Sequence, residues 1–181
     1  MKKKVIQSLS RGELVRLRSQ IQNQRDKIIL QILYETGCTV NELVNIKYNN
    51  INVKSKTIKY PSDITKTKKS RICFISSKLV NELKKYTRGE NFVYLFVTRQ
   101  SYNITTKRVR QLLQSYGLKA RLGKINPQVI RYTHIAHALE RGITLTTIQK
   151  QVGIERLRMV QIYESLVPEE KEGEYGKFWK Q

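Results

Sequence analysis

The chain has 181 residues, of which 39% are hydrophobic and 27% charged, and its 35 Lys and Arg against 14 Asp and Glu give a net charge of +21. That length buries a core in one domain, and the apolar content is too high for a disordered polyelectrolyte. No apolar run approaches the ~20 residues of a membrane span, no secretory apolar stretch follows the basic start at Met1–Lys4, and two Cys and two His stand at spacings unsuited to zinc.

The predicted elements run as follows. Ser10 and Glu13 form a capping-box pattern ahead of Leu14, Leu17 and Ile21, which predicts a first helix. A second runs from about Arg25 to Glu35, buries Ile28, Ile29, Ile32 and Leu33, and stops at Gly37. A third, short helix starts near Thr39 or Asn41, with Thr39 and Glu42 as its capping box. Residues 50–76 then alternate and are β-branched, with a Lys-, Ser- and Thr-rich turn, which predicts a small antiparallel sheet. Helical periodicity returns over Ser77–Tyr86 and Thr105–Tyr116, and residues 92–97 read as buried strand or buried coil. From Pro127 onward the chain reads as helical in three or four pieces, bounded by Gly142, Gly153 and Pro168. Cys38 and Cys73 read as small core residues of a cytoplasmic protein. The fold class expected is mainly α with a small antiparallel β-sheet, an α+β domain.

The positive charge is unevenly placed. Residues 1–168 hold 32 bases against 10 acids, whereas residues 169–181 hold three bases and four acids. Residues 1–168 are therefore expected to be one DNA-binding domain, since double-stranded DNA is the default partner of such a body. An anionic membrane surface would call for an amphipathic anchor or a lipidation motif, and neither is found. The last thirteen residues form a tail, whose Phe178 and Trp179 are suited to docking on protein, in cis or on a neighbour. Lys84–Arg88 reads as a solvated face. The Thr105–Gln111 stretch reads as a DNA-facing helix with Lys107, Arg108 and Arg110 on phosphates, a patch extended by Lys119, Arg121 and Lys124.

Three residues suggest chemistry. Arg131 sits one turn into the helix opened by Pro127, Tyr163 follows thirty-two residues later, and Lys66 lies in the predicted hairpin turn. A tyrosine oxygen can attack a phosphodiester, an arginine can hold the phosphoryl oxygens, and a lysine can protonate the leaving 5′ oxygen. This chemistry calls for no metal and no cofactor.

Four strings carry a resemblance. RDKIILQILYETGCTVNELVNIK resembles a helix followed by the box T-G-x-R-x-S-E-L, and TKTKKSRICFIS resembles a hairpin that carries a catalytic Lys. NPQVIRYTHIAHAL resembles H-x-x-R-H-x-x-A, and VGIERLRMVQIY resembles L-G-H-x-x-x-x-T-x-x-Y. Together, in this order, they resemble the catalytic domain of the tyrosine recombinases, the phage-integrase and Xer-type family. The resemblance implies a site-specific recombinase or integrase in which Tyr163 forms a 3′-phosphotyrosine intermediate, Arg131 clamps the phosphate and Lys66, or else Lys69, acts as general acid. It also implies a homo-tetramer on DNA, with a monomer expected in its absence, and a chain that is either a fragment or a minimal recombinase.

Three positions depart from the family pattern. The first arginine falls at Thr39, the second-box histidine at Gln128 and the late histidine at Ile154. Thr39 and Gln128 can still hydrogen-bond a phosphate, and Arg156 and Arg71 are the cations whose spacing suggests substitution. The alternative that these departures leave open is a catalytically impaired DNA-binding regulator or accessory subunit on the same fold. His134 and His137 are expected to pack rather than react.

Overall fold

Local capping sets the first three helices. In the computed structural model, which describes residues 7–88, 93–98 and 102–155, α1 (Arg11–Ser19) opens with the reciprocal Ser10–Glu13 box. Helix α2 (Gln24–Thr36) is capped by Asn23 and ends at Gly37, which is left-handed at φ 60°. Helix α3 (Val40–Val44) opens with the reciprocal Thr39–Glu42 box. Each box pairs two backbone N–H groups that a helix start otherwise leaves without partners.

A turn of 3₁₀ helix at Tyr48–Asn50 leads into the sheet. Strands β1 (Ile51–Asn52), β2 (Thr57–Tyr60) and β3 (Arg71–Phe74) pair antiparallel in that order, with Ile58 opposite Cys73 and Tyr60 opposite Arg71. Ile58, Tyr60 and Cys73 point inward and are fully buried. Helix α4 (Ser77–Tyr86) follows at once, and its N-cap Ser76 is held by Glu35 of α2. Residues 93–98 form a coil, buried at its middle, rather than a strand. Leu95 and Phe96 are inside, Leu95 N–H donates to Ile46 O, and only isolated bridges form.

Helices α5 (Thr106–Lys119), α6 (Pro127–Glu140) and α7 (Leu145–Val152) complete the body. Helix α2 is its centre: Ile28, Ile29, Ile32 and Leu33 are all buried, and the helix packs on α4 and α6. A second, smaller cluster of Ile135, Ala138, Ile148 and Val152 joins α6 to α7, and α7 also packs on β3. The architecture is mainly helical with one small antiparallel sheet, as the patterning predicts. Among the described residues no helix is long and apolar enough to cross a membrane. Pro168 and the tail from 169 to 181 lie outside the described residues.

Gly37 and Gly142 separate two reasons for a glycine. Both have positive φ, but a Cβ on Gly37 would stand 2.6 Å from Val152 Cγ1 and 2.9 Å from His134 Cδ2, whereas one on Gly142 meets nothing within 4 Å. Gly142→Ala is expected to cost only the left-handed penalty, about 1 kcal/mol. Gly37→Ala adds overpacking, for a total of about 3 kcal/mol. Urea unfolding of the two variants measures the difference.

Candidate active site

Arg131 is held by backbone. Asn126 caps α6, its Oδ1 accepting from the N–H groups of Gln128 at 2.9 Å and Val129 at 3.1 Å, and Pro127 occupies the first turn. One turn on, Arg131 is only 7% exposed. Its Nη1 donates to Gly37 O at 2.5 Å and to Val152 O at 2.9 Å. These carbonyls end α2 and α7, where helix dipoles place partial negative charge. Arg131 also lines an open cleft of about 260 Å³, together with Cys38, Thr39, Val40, Arg110, Asn126, Pro127 and Gln128. Thr39, far away in sequence, is thus brought beside Gln128 and Arg131 of α6. Among the described residues that line the cleft there are two arginines and no carboxylate.

Arg71 does not face this cleft as a spare cation. Its Nη1 and Nη2 donate to Glu42 Oε1 and Oε2 at 2.6 and 2.9 Å, and its Nε donates to Gln151 O at 3.0 Å. The guanidinium also lies 4.6 Å from the centre of the Tyr60 ring. Both partners are buried, with side chains 9% and 4% exposed. Burial disfavours the Glu42 carboxylate, but the hydrogen bonds and charge of Arg71, with the Thr39 N–H, outweigh it and leave its pKa below the ordinary value. Burial likewise works against the charge of Arg71, and Glu42 outweighs it and raises the pKa. The expectation of Arg71 as a phosphate-reaching substitute is therefore corrected. Its forked donors match a carboxylate already inside the fold, and they brace the Thr39 cap against the end of α7.

The hairpin lysines lie on the connection from β2 to β3. Thr65 is buried there, with its hydroxyl 3.0 Å from Lys69 O. Lys66 is exposed. Lys69 lies 3.1 Å from Glu155, both of them largely exposed, a pairing of little energetic weight. Ile154 packs against the cluster of Ile135, Ala138, Ile148 and Val152. Tyr163 and Arg156 lie outside the described residues.

His134 and His137 sit edge-on to Tyr34, with centroids 6.5 and 5.8 Å away, and His137 Nδ1 is 3.0 Å from Tyr34 Oη. Burial lowers the pKa of His134 to about 4 and also lowers that of His137. Both are packing groups here, neutral at pH 7.

The basic face centres on α5. Lys107, Arg108 and Arg110 are exposed on its first turns, as are Lys119, Arg121 and Lys124 farther on. Lys107 and Arg108 line a second cleft of about 710 Å³ with Asn23, Arg25, Thr98, Ile104, Thr105 and Gln111. Sequence reasoning missed Arg25 there and Asn126 in the first cleft, and it offered Arg110 as a backbone-phosphate contact rather than as a lining residue of that cleft. The capping pattern at Asn126–Pro127 offered a local signal; nothing local pointed Arg110 at α6.

The fold is that of the Xer-type tyrosine recombinases. The phage integrase family matches residues 7–170. The chain belongs to that family. It is similar to tyrosine recombinase XerA of Pyrococcus horikoshii, 34% identical over 166 residues, covering 89% of this chain and 57% of the relative. Tyrosine recombinase XerC of Thermodesulfovibrio yellowstonii is 31% identical over 152 residues, which are 77% of this chain and 50% of that one. This chain thus spans about half the length of those curated relatives. Among solved structures, XerA recombinase superposes with a TM-score of 0.83 at 25% identity, over 98% of this chain and 67% of that one. XerH site-specific recombinase bound to its palindromic difH substrate shares the fold, with a TM-score of 0.79 at 17% identity, over 98% of this chain and 54% of that one.

Removing one partner of the Arg71–Glu42 pair strands a buried charge, so Arg71→Met is expected to cost about 3–5 kcal/mol. Arg71→Met with Glu42→Gln should cost clearly less than the sum of the single changes in urea unfolding.

Acid should also weaken the fold, in two stages. Glu42 and His134 both bind protons more weakly folded than unfolded, so the unfolded state gains as pH falls. The His134 contribution is complete above its ordinary 6.5 and is lost towards about 4. The Glu42 contribution is complete above its ordinary 4.5 and is lost below it. Unfolding free energy measured from pH 7 to 4 should fall throughout, and His134→Phe should flatten the upper part of the slope.

Proposed function

We propose that this chain is the catalytic part of a site-specific DNA recombinase that cuts and rejoins strands through Tyr163. The Tyr163 oxygen gives up its proton to solvent and bonds the scissile phosphorus, the bond from phosphorus to the 5′ oxygen breaks, that oxygen leaves with a proton from Lys66, and a 3′-phosphotyrosine link and a free 5′-hydroxyl result. The link keeps the phosphodiester energy for the reverse attack by another 5′-hydroxyl, so rejoining needs no nucleotide hydrolysis. Arg131 holds the non-bridging oxygens, and Thr39 and Gln128 add uncharged hydrogen bonds.

The observation that carries this reading is the cleft itself. Positions 39, 128 and 131 line one cleft whose described lining residues include two arginines and no carboxylate, in a chain whose family match extends to residue 170. Lys107, Arg108, Lys119, Arg121 and Lys124 supply backbone contacts to the duplex. The assembly proposed is a tetramer on two duplexes, with the tail from 169 to 181 docking on a neighbour as a cyclic interface.

Suicide duplexes with a nick beside the cleavage site test the reading on a denaturing gel. A DNA-linked band that Tyr163→Phe abolishes is the expected result. Lys66→Ala should slow adduct formation by about 10²–10⁴, and a 5′-bridging sulfur, a leaving group that needs no proton, should restore it. Binding without any adduct would favour the regulator on the same fold. Affinity should fall steeply with salt, and each of Lys107→Ala and Arg108→Ala should lower the log–log slope by about 0.9.

A further inference from the structure

We infer that Arg110 is a catalytic residue, supplying to the scissile phosphate the second positive charge that Thr39 does not carry. The inference rests on the strand-cleavage reading above.

Arg110 and Arg131 come from different helices, α5 and α6, and line the same cleft. Helix α5 packs on α3 and on α6, so Arg110 stands where the start of α3 and the start of α6 face each other. The cleft holds roughly eight water volumes, enough for a phosphodiester group. Two guanidinium groups line one small space, and none of its described lining residues is a carboxylate, so an anion that enters it meets two positive charges. The N-terminal end of the fourteen-residue α6, with Asn126, Pro127 and Gln128, borders the same space and adds the positive end of a helix dipole. Among the described residues that line the cleft, both charged side chains have the sign that suits a phosphoryl group.

Arg110 is also able to move onto a substrate. It is exposed, and its Nη1 is 3.2 Å from Thr106 Oγ1, one turn back on its own helix. Giving up that exposed contact costs little. Arg71, the other cation suggested for this role, is neutralised by Glu42. Arg131 has its Nη1 held by two carbonyls, so the exposed second arginine, from α5, is the one free to adjust to the phosphate. Negative charge builds on the non-bridging oxygens as the Tyr163 oxygen bonds phosphorus, and a donor aimed at that charge acts mainly on the rate.

The test separates charge neutralisation from ordinary binding. Adduct formation by the full chain is followed at saturating DNA, with a phosphodiester or an uncharged methylphosphonate at the cleavage site. On the phosphodiester, Arg110→Ala is expected to lower the rate by about 10²–10³, while affinity changes by less than about fivefold. On the methylphosphonate, which has no charge to neutralise, wild type and Arg110→Ala should react alike. Arg110→Lys should fall between them, and Lys84→Ala, on the far α4, should match wild type. An equal loss on both linkages, or a loss only of affinity, would overturn the inference and leave Arg110 as a backbone contact. If wild type forms no adduct with either linkage, the cleavage reading itself fails. Inorganic phosphate titrated into the full chain then tests the paired arginines. Nε–H resonances of Arg110 and Arg131 shifting with one midpoint support the pair, and an unmoved Arg110 overturns it.

Discussion

A guanidinium fastened between the ends of two helices is the constraint on which the site depends. Arg131 binds the carbonyls of Gly37 and Val152, and each lies where a left-handed glycine stops a helix, Gly37 after α2 and Gly153 after α7. The two ends are close enough that no Cβ fits on Gly37. Arg71 takes the preceding carbonyl of α7, that of Gln151. Two arginines therefore hold consecutive carbonyls of one helix end, the end from which the chain continues towards Tyr163.

The kind of partner each arginine has decides what it can do. Burying an arginine costs several kcal/mol unless something compensates. Arg71 is compensated by a full carboxylate, and this neutralises it for any other purpose. Arg131 is compensated at Nη1 by carbonyls at the negative ends of helix dipoles. That holds Nη1 in place by backbone rather than by an acidic side chain, and the described residues that line the cleft include no carboxylate.

The parts of this arrangement legible in the sequence were the local ones. The Ser10–Glu13 and Thr39–Glu42 boxes span three residues each, and the glycine stops and the Asn126–Pro127 start are single-position signals. Those fixed most helix starts and stops, and the order of the four strings located Arg131. Arg71 with Glu42 is a contact across 29 residues, and Arg110 reaches its cleft only because α5 packs between α3 and α6. Periodicity says which face of a helix is wet, but not which distant helix that face meets. A spacing argument could offer Arg71 as a spare cation because it could not see that Glu42 already held it.

Thr39 and Ile154, two of the positions that the resemblance reads as departures, are engaged differently within the fold. Ile154 lies in the apolar seam between α6 and α7, so an imidazole there would exchange packing for a polar group. Thr39 uses its hydroxyl to accept from Glu42 N–H, so what it offers a ligand is a single hydrogen bond. Both side chains are thus engaged within the fold, and α5 supplies Lys107, Arg108 and Arg110 to the two clefts. Its first turns send Arg110 to the small cleft and Lys107 and Arg108 to the larger one. Under the proposed reading, one rigid helix then couples the two tasks. A duplex seated on Lys107 and Arg108 is carried by α5 into register with Arg110 and Arg131, so the backbone contacts that set affinity also set where the strand can be cut.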